Sequence, residues 1–300
     1  MAGGLCVRVA SYFLTGPDSG TRGVIVVRLS ALVCVHNQEA QLAECLRRLT
    51  FCDEIIVVAD RCTDGSQDVA RRHGALVIDG IFPLENHHRM AGVDACSGDW
   101  IIEVEPDEVI QAALAWEIRA VLQTRRSGDW YELPIDNYVG ETLIRQGWTG
   151  ALSARSEPRL YKRGLKAWTP ARVNTSVVMS GQSGGALTGA IRRTLGQDLG
   201  GLVERLNRLT ALHAEDIADG DRGTSAATGL ARGLGTFLKS YLGRGGWREG
   251  ALGLLIASLS ALYPVLSQMR AGQLSQVRAL TLTQAVEVLQ PTRLRRVGGR

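Results

Sequence analysis

The sequence contains few aromatic residues and few lysines. Aromatics make up 5% of its 300 residues, and Lys162, Lys166 and Lys239 are its only lysines. The scarcity of aromatic side chains, which stack on bases in nucleic-acid-binding proteins, argues against a nucleic-acid partner. Hydrophobic residues account for 45% and charged residues for 21% of the chain, as in an ordinary globular protein. These proportions exclude wholesale disorder and a fibrous repeat.

Patterns that mark disulfide-rich, zinc-binding, secreted and membrane-spanning proteins are also missing. The six cysteines form no C-x-x-C pair and most lie in apolar stretches, so we expect reduced core residues of an intracellular protein. No signal-peptide pattern is present, and residues 1–27 are predicted to be a poorly patterned extension. The longest apolar stretch, residues 251–266, is shorter than the ~20 residues that span a bilayer. We therefore expect a soluble or membrane-surface protein.

Two common phosphate-binding motifs are absent. The sequence has no G-x-G-x-x-G, so a conventional dinucleotide site lacks support, and no G-x-x-x-x-G-K-[ST] of a P-loop. A nucleotidyltransferase needs a glycine-rich, basic loop after its first strand, and residues 36–39 supply none. We therefore discount that class of enzyme.

The net charge of +4 conceals opposite charges in the two halves of the chain. Residues 1–150 carry 13 basic and 21 acidic side chains, whereas residues 151–300 carry 21 basic and 9 acidic ones. An acidic half favours a site for a cation or a metal-bound substrate, and a basic half favours contact with an anionic surface. Two solvated faces of unequal composition are the alternative.

Apolar strands alternate with helices from residue 28 onward. In chain order we predict a strand at 29–35, a helix at 39–49, a strand at 54–59, a helix at 66–73, a strand at 75–78, a helix at 86–96 and a strand at 100–104. Strands this apolar indicate a parallel sheet that is covered on both faces. After short strands at 130–134 and 158–161, the pattern becomes helical from residue 199.

Polar loops follow three of these strands, at residues 36–39, 60–65 and 105–108. Ligands of parallel sheets bind at the carboxyl ends of the strands, so we expect these loops to surround a site. In the third loop, Glu105 and Asp107 offer the oxygen ligands that Mg²⁺ and Mn²⁺ prefer, often together with substrate phosphates. An exposed acidic turn is the alternative interpretation.

The other two candidate segments also have two interpretations each. Asp60, at the end of a strand, can accept hydrogen bonds from a nucleobase or ribose, although a structural role is equally consistent with its position. For Asp64, capping of the helix that begins at Ser66 is the better interpretation. Arg89, with the two histidines before it, can contact phosphates or form part of a helix surface.

Taken together, these segments resemble a family 2 glycosyltransferase of the GT-A fold, from about residue 29 to at least residue 266. Residues 29–39 resemble the family's first strand and nucleotide-contacting loop, residues 54–65 the second strand and the loop that holds uracil and ribose, and residues 98–108 the segment that leads to the metal-binding D-x-D. The resemblance implies an α/β fold with a Rossmann-like, mostly parallel sheet flanked by helices, and a helical C-terminal region.

The resemblance also assigns roles to individual residues. It implies a divalent metal, Mn²⁺ or Mg²⁺, that is bound by Asp107 with Glu105. The implied nucleotide-sugar-binding residues are His36, Asn37, Glu39, Asp60, Arg89 and Glu105. It further implies a glycosyltransferase domain at 28–198, with a nucleotide-sugar half (28–130) and an acceptor half (131–198), followed by a basic helical region at 199–300.

Residues 131–164 and 237–250 are similar to the subgroup that adds glucose to the lipopolysaccharide inner core. That similarity implies inverting transfer from a nucleotide-sugar donor, a UDP-linked hexose, to a lipid-linked or phosphorylated glycan. The enzyme would be cytoplasmic and peripheral at the cytoplasmic face of the inner membrane. Arg244, Arg248 and the arginines at 293, 295 and 296 would then face anionic lipid or the acceptor.

The chain departs from the family pattern at three places. Glu105 replaces the first Asp of D-x-D, and Ala59 stands where many relatives carry Asp, which places more of the base recognition on Asp60. Asn174 and Thr175 replace the subgroup's His-Glu pair, and neither side chain is a general base at neutral pH. The catalytic base is therefore unassigned: either another carboxylate serves, or the chain is an inactive relative that binds nucleotide sugar or glycan without turnover.

Overall fold

The computed structural model describes residues 27–124, 128–150, 152–220 and 225–289. The predictions made for residues 1–26 and for the arginines at 293, 295 and 296 lie outside these ranges. Of the six cysteines, Cys34, Cys45, Cys52, Cys62 and Cys96 are described, and all five are free thiols. Cys45 and Cys96 are buried, as predicted for core residues, whereas Cys34, Cys52 and Cys62 are half-buried.

The first part of the chain alternates strands and helices as predicted. Its elements are β1 (Leu29–Val35), α1 (Glu39–Arg47), β2 (Glu54–Asp60), α2 (Ser66–Arg72), β3 (Leu76–Gly80), α3 (Glu85–Ala95) and β4 (Trp100–Val104). The four strands pair in parallel in the order β3-β2-β1-β4. Residues of β1 and β4 are buried along nearly their whole length, because helices cover both faces of the sheet.

The rest of the sheet contains both parallel and antiparallel strands. These strands are β5 (Glu108–Val109), β6 (Trp130–Val139), β7 (Thr142–Ile144), β8 (Ser156–Lys162), β11 (Ser183–Ala186) and β12 (Ile191–Thr194). Helix α4 (Ala112–Gln123) follows β5, and β9 (Lys166–Trp168) and β10 (Val177–Met179) form a separate two-stranded sheet. The order continues from β4 through β8, β6 and β12 to β5, and β8 is antiparallel to both β4 and β6.

Strand β6 is longer than the predicted 130–134, because it continues beyond Pro134 to Val139. Proline is disfavoured inside a sheet, which is why the sequence pattern ended the strand there. Side chains nevertheless alternate between buried and half-buried over all of β6, and Leu133, Ile135 and Val139 face the core. Burial of these side chains therefore outweighs the loss of one ladder hydrogen bond.

The C-terminal region is helical, as predicted. It consists of α5 (Leu199–Asp219), α6 (Ala226–Leu238), a π-helical turn (Lys239–Gly243), a 3₁₀ turn (Gly246–Glu249) and α7 (Gly250–Leu289). The leucines of α5 pack against α7, and Leu202, Leu206, Ile256 and Trp148 share one buried cluster. This cluster joins the helical region to the edge of the sheet.

Helix α7 corrects the prediction drawn from residues 251–266. The apolar stretch predicts a segment too short to span a bilayer, but α7 continues through Pro264 and extends to Leu289. Within the described residues, the segment Gly246–Thr281 is long and apolar enough to cross a membrane by length and composition alone. Core helices of soluble proteins meet the same criterion, and 39% of the apolar window is buried inside the protein.

Candidate active site

The three polar loops predicted to surround a site do converge at the carboxyl ends of β1, β2 and β4. A hydrogen bond of 2.7 Å joins His36 Nδ1 and the Asp60 carbonyl oxygen. A cleft of about 720 Å³ opens beside them, and His36, Asp60, Arg89, Glu105 and Asp107 all line it. The topology thus brings together side chains from four separate segments, as parallel sheets do where their loops meet.

Asn37 and Glu39, which the resemblance also assigned to the nucleotide, do not line the cleft. Asn37 Oδ1 accepts a hydrogen bond of 2.7 Å from the Thr63 amide, and Glu39 Oε2 accepts one of 3.0 Å from the Gly65 amide. Both side chains therefore tie the loop after β1 to the loop after β2. Asn37 holds a φ of 51°, in the left-handed region that asparagine tolerates better than most residues.

Asp60 is held as an ionised acceptor at the floor of the cleft. It is 5% exposed, and it accepts hydrogen bonds from Arg61 (3.0 and 2.7 Å) and from the Phe82 amide (2.9 Å). Burial alone would raise the pKa of this carboxyl, but these hydrogen bonds lower it below its usual value. Asp64 accepts a hydrogen bond of 3.1 Å from the Ser66 amide, but the N-cap position of α2 is Gly65 and no side chain caps the helix, so the predicted capping role of Asp64 is not observed.

Glu105 and Asp107 are not an exposed acidic turn, because arginines cover both. Glu105 Oε1 accepts hydrogen bonds from Arg89 (2.8 Å) and Arg159 (3.2 Å), and Asp107 Oδ2 accepts one from Arg205 (3.2 Å). Their side chains are 26% and 11% exposed. Although burial would raise the pKa of Glu105, Arg89 and Arg159 hold it well below its usual range. The Glu105 carboxylate is consequently ionised at neutral pH.

Glu108, the last residue of the same loop, is fully buried and fixes the loop in place. Its Oε2 accepts a hydrogen bond of 2.7 Å from the Glu105 amide, and its Oε1 accepts from Arg193 Nε at 2.9 Å and from Arg159 at 3.4 Å. Strand pairing explains the contact, since β5 and β12 place Glu108 opposite Arg193. Burial raises the pKa of the Glu108 carboxyl, and the two arginines oppose that shift.

Of the three basic residues at 87–89, two line the cleft and one lies at the surface. Arg89 is only 13% exposed on its side chain and also pairs with Glu85 (2.7 Å) and Glu103 (3.4 Å). His88 lines the cleft, and burial lowers its pKa to about 4, so its ring is neutral at physiological pH. His87 is exposed. The helix-surface interpretation therefore holds for His87 alone.

Several cleft residues were missed by the reasoning from sequence. They are the basic side chains that come from β8, β9, β12 and α5, namely Arg159, Lys166, Arg193, Arg205 and Arg208. The signal for these residues in the sequence is the excess of basic side chains after residue 150, which predicted contact with an anionic surface away from the acidic loops. Instead, the basic second half and the acidic first half meet in one cleft.

Asn174 and Thr175 line the cleft, but they provide no base. Asn174 Nδ2 donates a hydrogen bond of 2.9 Å to the Tyr263 hydroxyl, and the Tyr263 ring stacks on His213 with centroids 5.2 Å apart. Four other carboxylates of the cleft were given no role by the resemblance. Glu85 and Glu103 pair with Arg89, which leaves Glu157 on β8 and Glu215 on α5. Their side chains are 34% and 44% exposed, so Glu157 is the more enclosed of the two.

Glu105 and Asp107 together offer two carboxylates, which is the kind and number of ligands that a protein supplies to a divalent metal bound with a diphosphate. A Mg²⁺ ion that carries a diphosphate takes one or two protein carboxylates beside the phosphates. Among the residues that the structure describes, the second oxygen of each carboxylate accepts no hydrogen bond. No group of three or more His, Cys, Asp or Glu in those residues is arranged to hold a metal by itself. Substrate oxygens would have to complete the coordination.

Comparison with known proteins places the sequence among glycosyltransferases. Residues 30–117 match the model described as glycosyl transferase family 2. The lipopolysaccharide core biosynthesis glycosyltransferase LpsC of Rhizobium meliloti is 24% identical over 262 residues, which cover 84% of this chain and 94% of that protein. An uncharacterized glycosyltransferase of Rickettsia typhi is 27% identical over 97 residues, or 31% of this chain and 32% of that protein.

Solved structures give a more distant likeness. Glucosyl-3-phosphoglycerate synthase from Mycobacterium tuberculosis, in complex with Mn²⁺, UDP and phosphoglyceric acid, is 17% identical with a TM-score of 0.35, and covers 47% of this chain and 57% of its own. That synthase was also crystallised with Mg²⁺ and UDP. S. aureus TarS is 17% identical with a TM-score of 0.40, over 65% of this chain and 40% of its own.

The fold that the resemblance implied, a GT-A sheet flanked by helices with a helical C-terminal region, is confirmed by the order and direction of the strands and by α5 to α7. The family match and the relatives agree with it at the level of sequence. The chain is therefore a glycosyltransferase, of which residues 30–117 match the family 2 model, and it is similar to a glycosyltransferase of lipopolysaccharide core biosynthesis.

Proposed function

We propose that this enzyme transfers a hexose from a UDP-linked donor, with inversion, to a lipid-linked or phosphorylated glycan of the cell envelope such as the lipopolysaccharide core. The observation that carries the proposal is the cleft that unites Asp60 with Glu105 and Asp107 at the carboxyl ends of three strands. The likeness to LpsC over 84% of the chain supports the choice of acceptor class.

In this proposal the loops after β1 and β2 hold the nucleoside. The ionised Asp60 accepts hydrogen bonds from the base or ribose, His36 lies beside it, and Asn37 and Glu39 keep the two loops together. Arg89 faces the phosphates. Residues 28–130 then form the nucleotide-sugar half and residues 131–198 the acceptor half, and residues 199–300 form the basic helical region.

Asp107, with Glu105, would hold a Mn²⁺ or Mg²⁺ ion, which supplies positive charge to the diphosphate leaving group when it is bound. The chain contributes positive charge of its own at the same place. Arg159, Arg193 and Arg205 line the cleft around these carboxylates and remain charged at every physiological pH. Fixed cations aimed at a developing charge are among the largest contributions to catalysis.

Glu157 is the residue that we propose as general base. An inverting transfer needs a group that removes the proton of the attacking hydroxyl, and a carboxylate serves when it is ionised and within reach of the cleft. Burial alone would raise the pKa of Glu157, but Arg159 and Arg193 lower it. Glu215, which pairs with Arg172 at 3.0 Å near the surface, is the matched comparison.

The test is calorimetric binding of UDP, GDP and their sugars with Mn²⁺, with Mg²⁺ and with chelator. We expect one nucleotide to bind in a metal-dependent manner, Asp107→Ala to abolish that binding, and Asp68→Ala, an exposed carboxylate on α2, to leave it unchanged. Glu157→Gln should keep donor binding and lower transfer by about 10²-fold or more, whereas Glu215→Gln should not. Failure of every nucleotide to bind under any metal condition would contradict the proposal.

The basic helical region supports a peripheral location at the cytoplasmic face of the inner membrane. Lys239 lies between the exposed apolar side chains of Leu238 and Leu242 in the sequence of this region. Each basic residue near an anionic membrane is worth about 1 kcal/mol. Sedimentation with anionic vesicles, compared with neutral ones, measures this contribution directly.

A further inference from the structure

A second cavity adjoins the cleft and differs from it in charge. It has a volume of about 620 Å³, and its lining includes Gln146, Arg155, Arg244, Trp247 and Arg248. We call it the arginine recess. It is lined by three arginines and by no carboxylate, whereas the cleft is lined by seven carboxylates among its basic residues. Within the described residues, none of the three arginines forms an ion pair with a carboxylate.

Two of these arginines have a contact within the protein. The Arg244 guanidinium donates to the Trp148 carbonyl oxygen, and the Arg248 guanidinium lies 5.2 Å from the centre of the Trp247 ring. Glu249, which is adjacent in sequence, accepts a hydrogen bond of 2.9 Å from the Gln146 amide. Its carboxylate is therefore bound to the loop after β7 and does not neutralise the recess.

Beside the recess, the backbones of two segments lie in close contact at Gly147 and Gly246. Gly147 has a φ of 83°, and a Cβ atom there would lie 3.1 Å from the Gly246 Cα. The loop after β7 therefore packs directly on the turn between the π-helical segment and α7. The π-helical turn Lys239–Gly243 ends at this point, and irregular helical turns of this kind are frequent at functional sites.

The recess lies next to the cleft, because Gly150 and Ala154 line both cavities. Residues 152–154 are connected to the loop that carries Asp107. Asn137 Nδ2 donates to the Ala154 carbonyl at 2.9 Å, and Arg205 donates both to the Leu152 carbonyl and to Asp107, at 3.2 Å each. A molecule in the recess would therefore reach toward the same carboxylates that face the donor.

We propose that the arginine recess binds an anionic group, a phosphate or a carboxylate, of the glycan acceptor. This inference rests on the proposed transfer function, because it assigns the recess to the second substrate of that reaction. Arginine matches phosphate and carboxylate geometry with paired donors, and three unpaired arginines would otherwise repel one another. Trp247, 53% exposed, offers a flat apolar surface for the C–H face of a sugar ring. The concave shape favours a sugar-borne anion over a flat membrane surface.

The test uses simple anions at constant ionic strength. The indole N–H resonance of Trp247 is followed by NMR while inorganic phosphate, glucose 6-phosphate, glucuronate and neutral glucose are added in turn. We expect both sugar anions and phosphate to shift it and glucose not to. The double variant Arg155→Gln/Arg248→Gln should weaken binding of the anions at least tenfold. Both side chains are exposed and make no hydrogen bond to the described residues, so we expect this variant to fold.

Arg232→Gln, an exposed arginine of α6 outside the recess, is the matched control and should leave anion binding unchanged. Equal anion affinity in the wild type and the double variant would overturn the assignment. So would a double variant that loses binding only to vesicles of anionic lipid, since that result would assign the arginines to the membrane. UDP calorimetry on the same samples separates the two proposals. If the wild-type protein binds the anions but not UDP, the proposed donor site is wrong and the assignment of the arginine recess stands.

Discussion

Replacement of Glu108 by glutamine should strongly destabilise this protein although it changes no side-chain volume. Glu108 is 0% exposed, and both of its carboxylate oxygens are occupied. Oε1 accepts from Arg193 and Arg159, and Oε2 accepts from the Glu105 amide. A glutamine presents one oxygen and one NH₂ group. In either orientation, the NH₂ group faces a donor, so at least one buried N–H loses its partner.

The magnitude follows from what remains buried. Arg159 and Arg193 are 2% and 4% exposed, and among the described residues Glu108 is the only fully buried carboxylate that pairs with them. Removal of one partner of a buried ion pair costs about 3–5 kcal/mol. Glu157 also pairs with both arginines and offsets part of that cost, so we expect the lower end, about 3 kcal/mol. For a chain of this size, that corresponds to a fall in Tm of about 5 °C.

The assay is denaturant unfolding of the ligand-free protein, with calorimetry for Tm. Glu44→Gln is the control, because Glu44 forms exposed pairs with Arg47 and Arg48 on α1, and exposed pairs contribute about 0–1 kcal/mol. A loss below about 1 kcal/mol in Glu108→Gln would refute the reasoning, since the arginines would then be solvated or paired elsewhere. We also expect weaker nucleotide binding, because Glu108 positions the loop that carries Glu105 and Asp107.

Two further predictions concern pH and packing. Burial lowers the pKa of His88 from 6.5 to about 4. Between these two pH values the unfolded chain binds a proton that the folded chain does not, so the free energy of unfolding decreases as the pH falls from 6.5 to 4. Unfolding at pH 7 and pH 5 should therefore show a stability difference about 2 kcal/mol larger in the wild type than in His88→Gln, and equal differences would contradict the burial of this ring. Gly92→Ala should cost about 1–3 kcal/mol, because its Cβ would lie 2.3 Å from Leu32 Cδ1 and 2.9 Å from Val58 Cγ2. Gly235→Ala on α6, where nothing lies within 4 Å, should instead stabilise by up to about 1 kcal/mol, and the comparison fails if both variants behave alike in thermal unfolding.

Much of the first half could be predicted because its elements are encoded locally. The apolar runs of β1, β2 and β4 and the helix patterns between them are properties of short segments, and the predicted bounds differ from the observed ones by at most two residues. Once the strands are parallel, their polar loops must meet at one edge, and that is where Asp60, Glu105 and Asp107 were found. The length of β6 was underestimated, because tertiary burial overrode the local signal of Pro134.

The order of residues along the chain fixes which carboxylates follow which strands, and therefore the position of the cleft. What those carboxylates contact depends on how distant segments pack. Arg159, Arg193 and Arg205 reach Glu108 and Asp107 across sequence separations of 51, 85 and 98 residues. No local pattern encodes such pairs, because they depend on where β8, β12 and α5 are placed beside the parallel strands. The excess of basic residues in the second half was visible from the start, but its position against the acidic loop is a consequence of sheet topology.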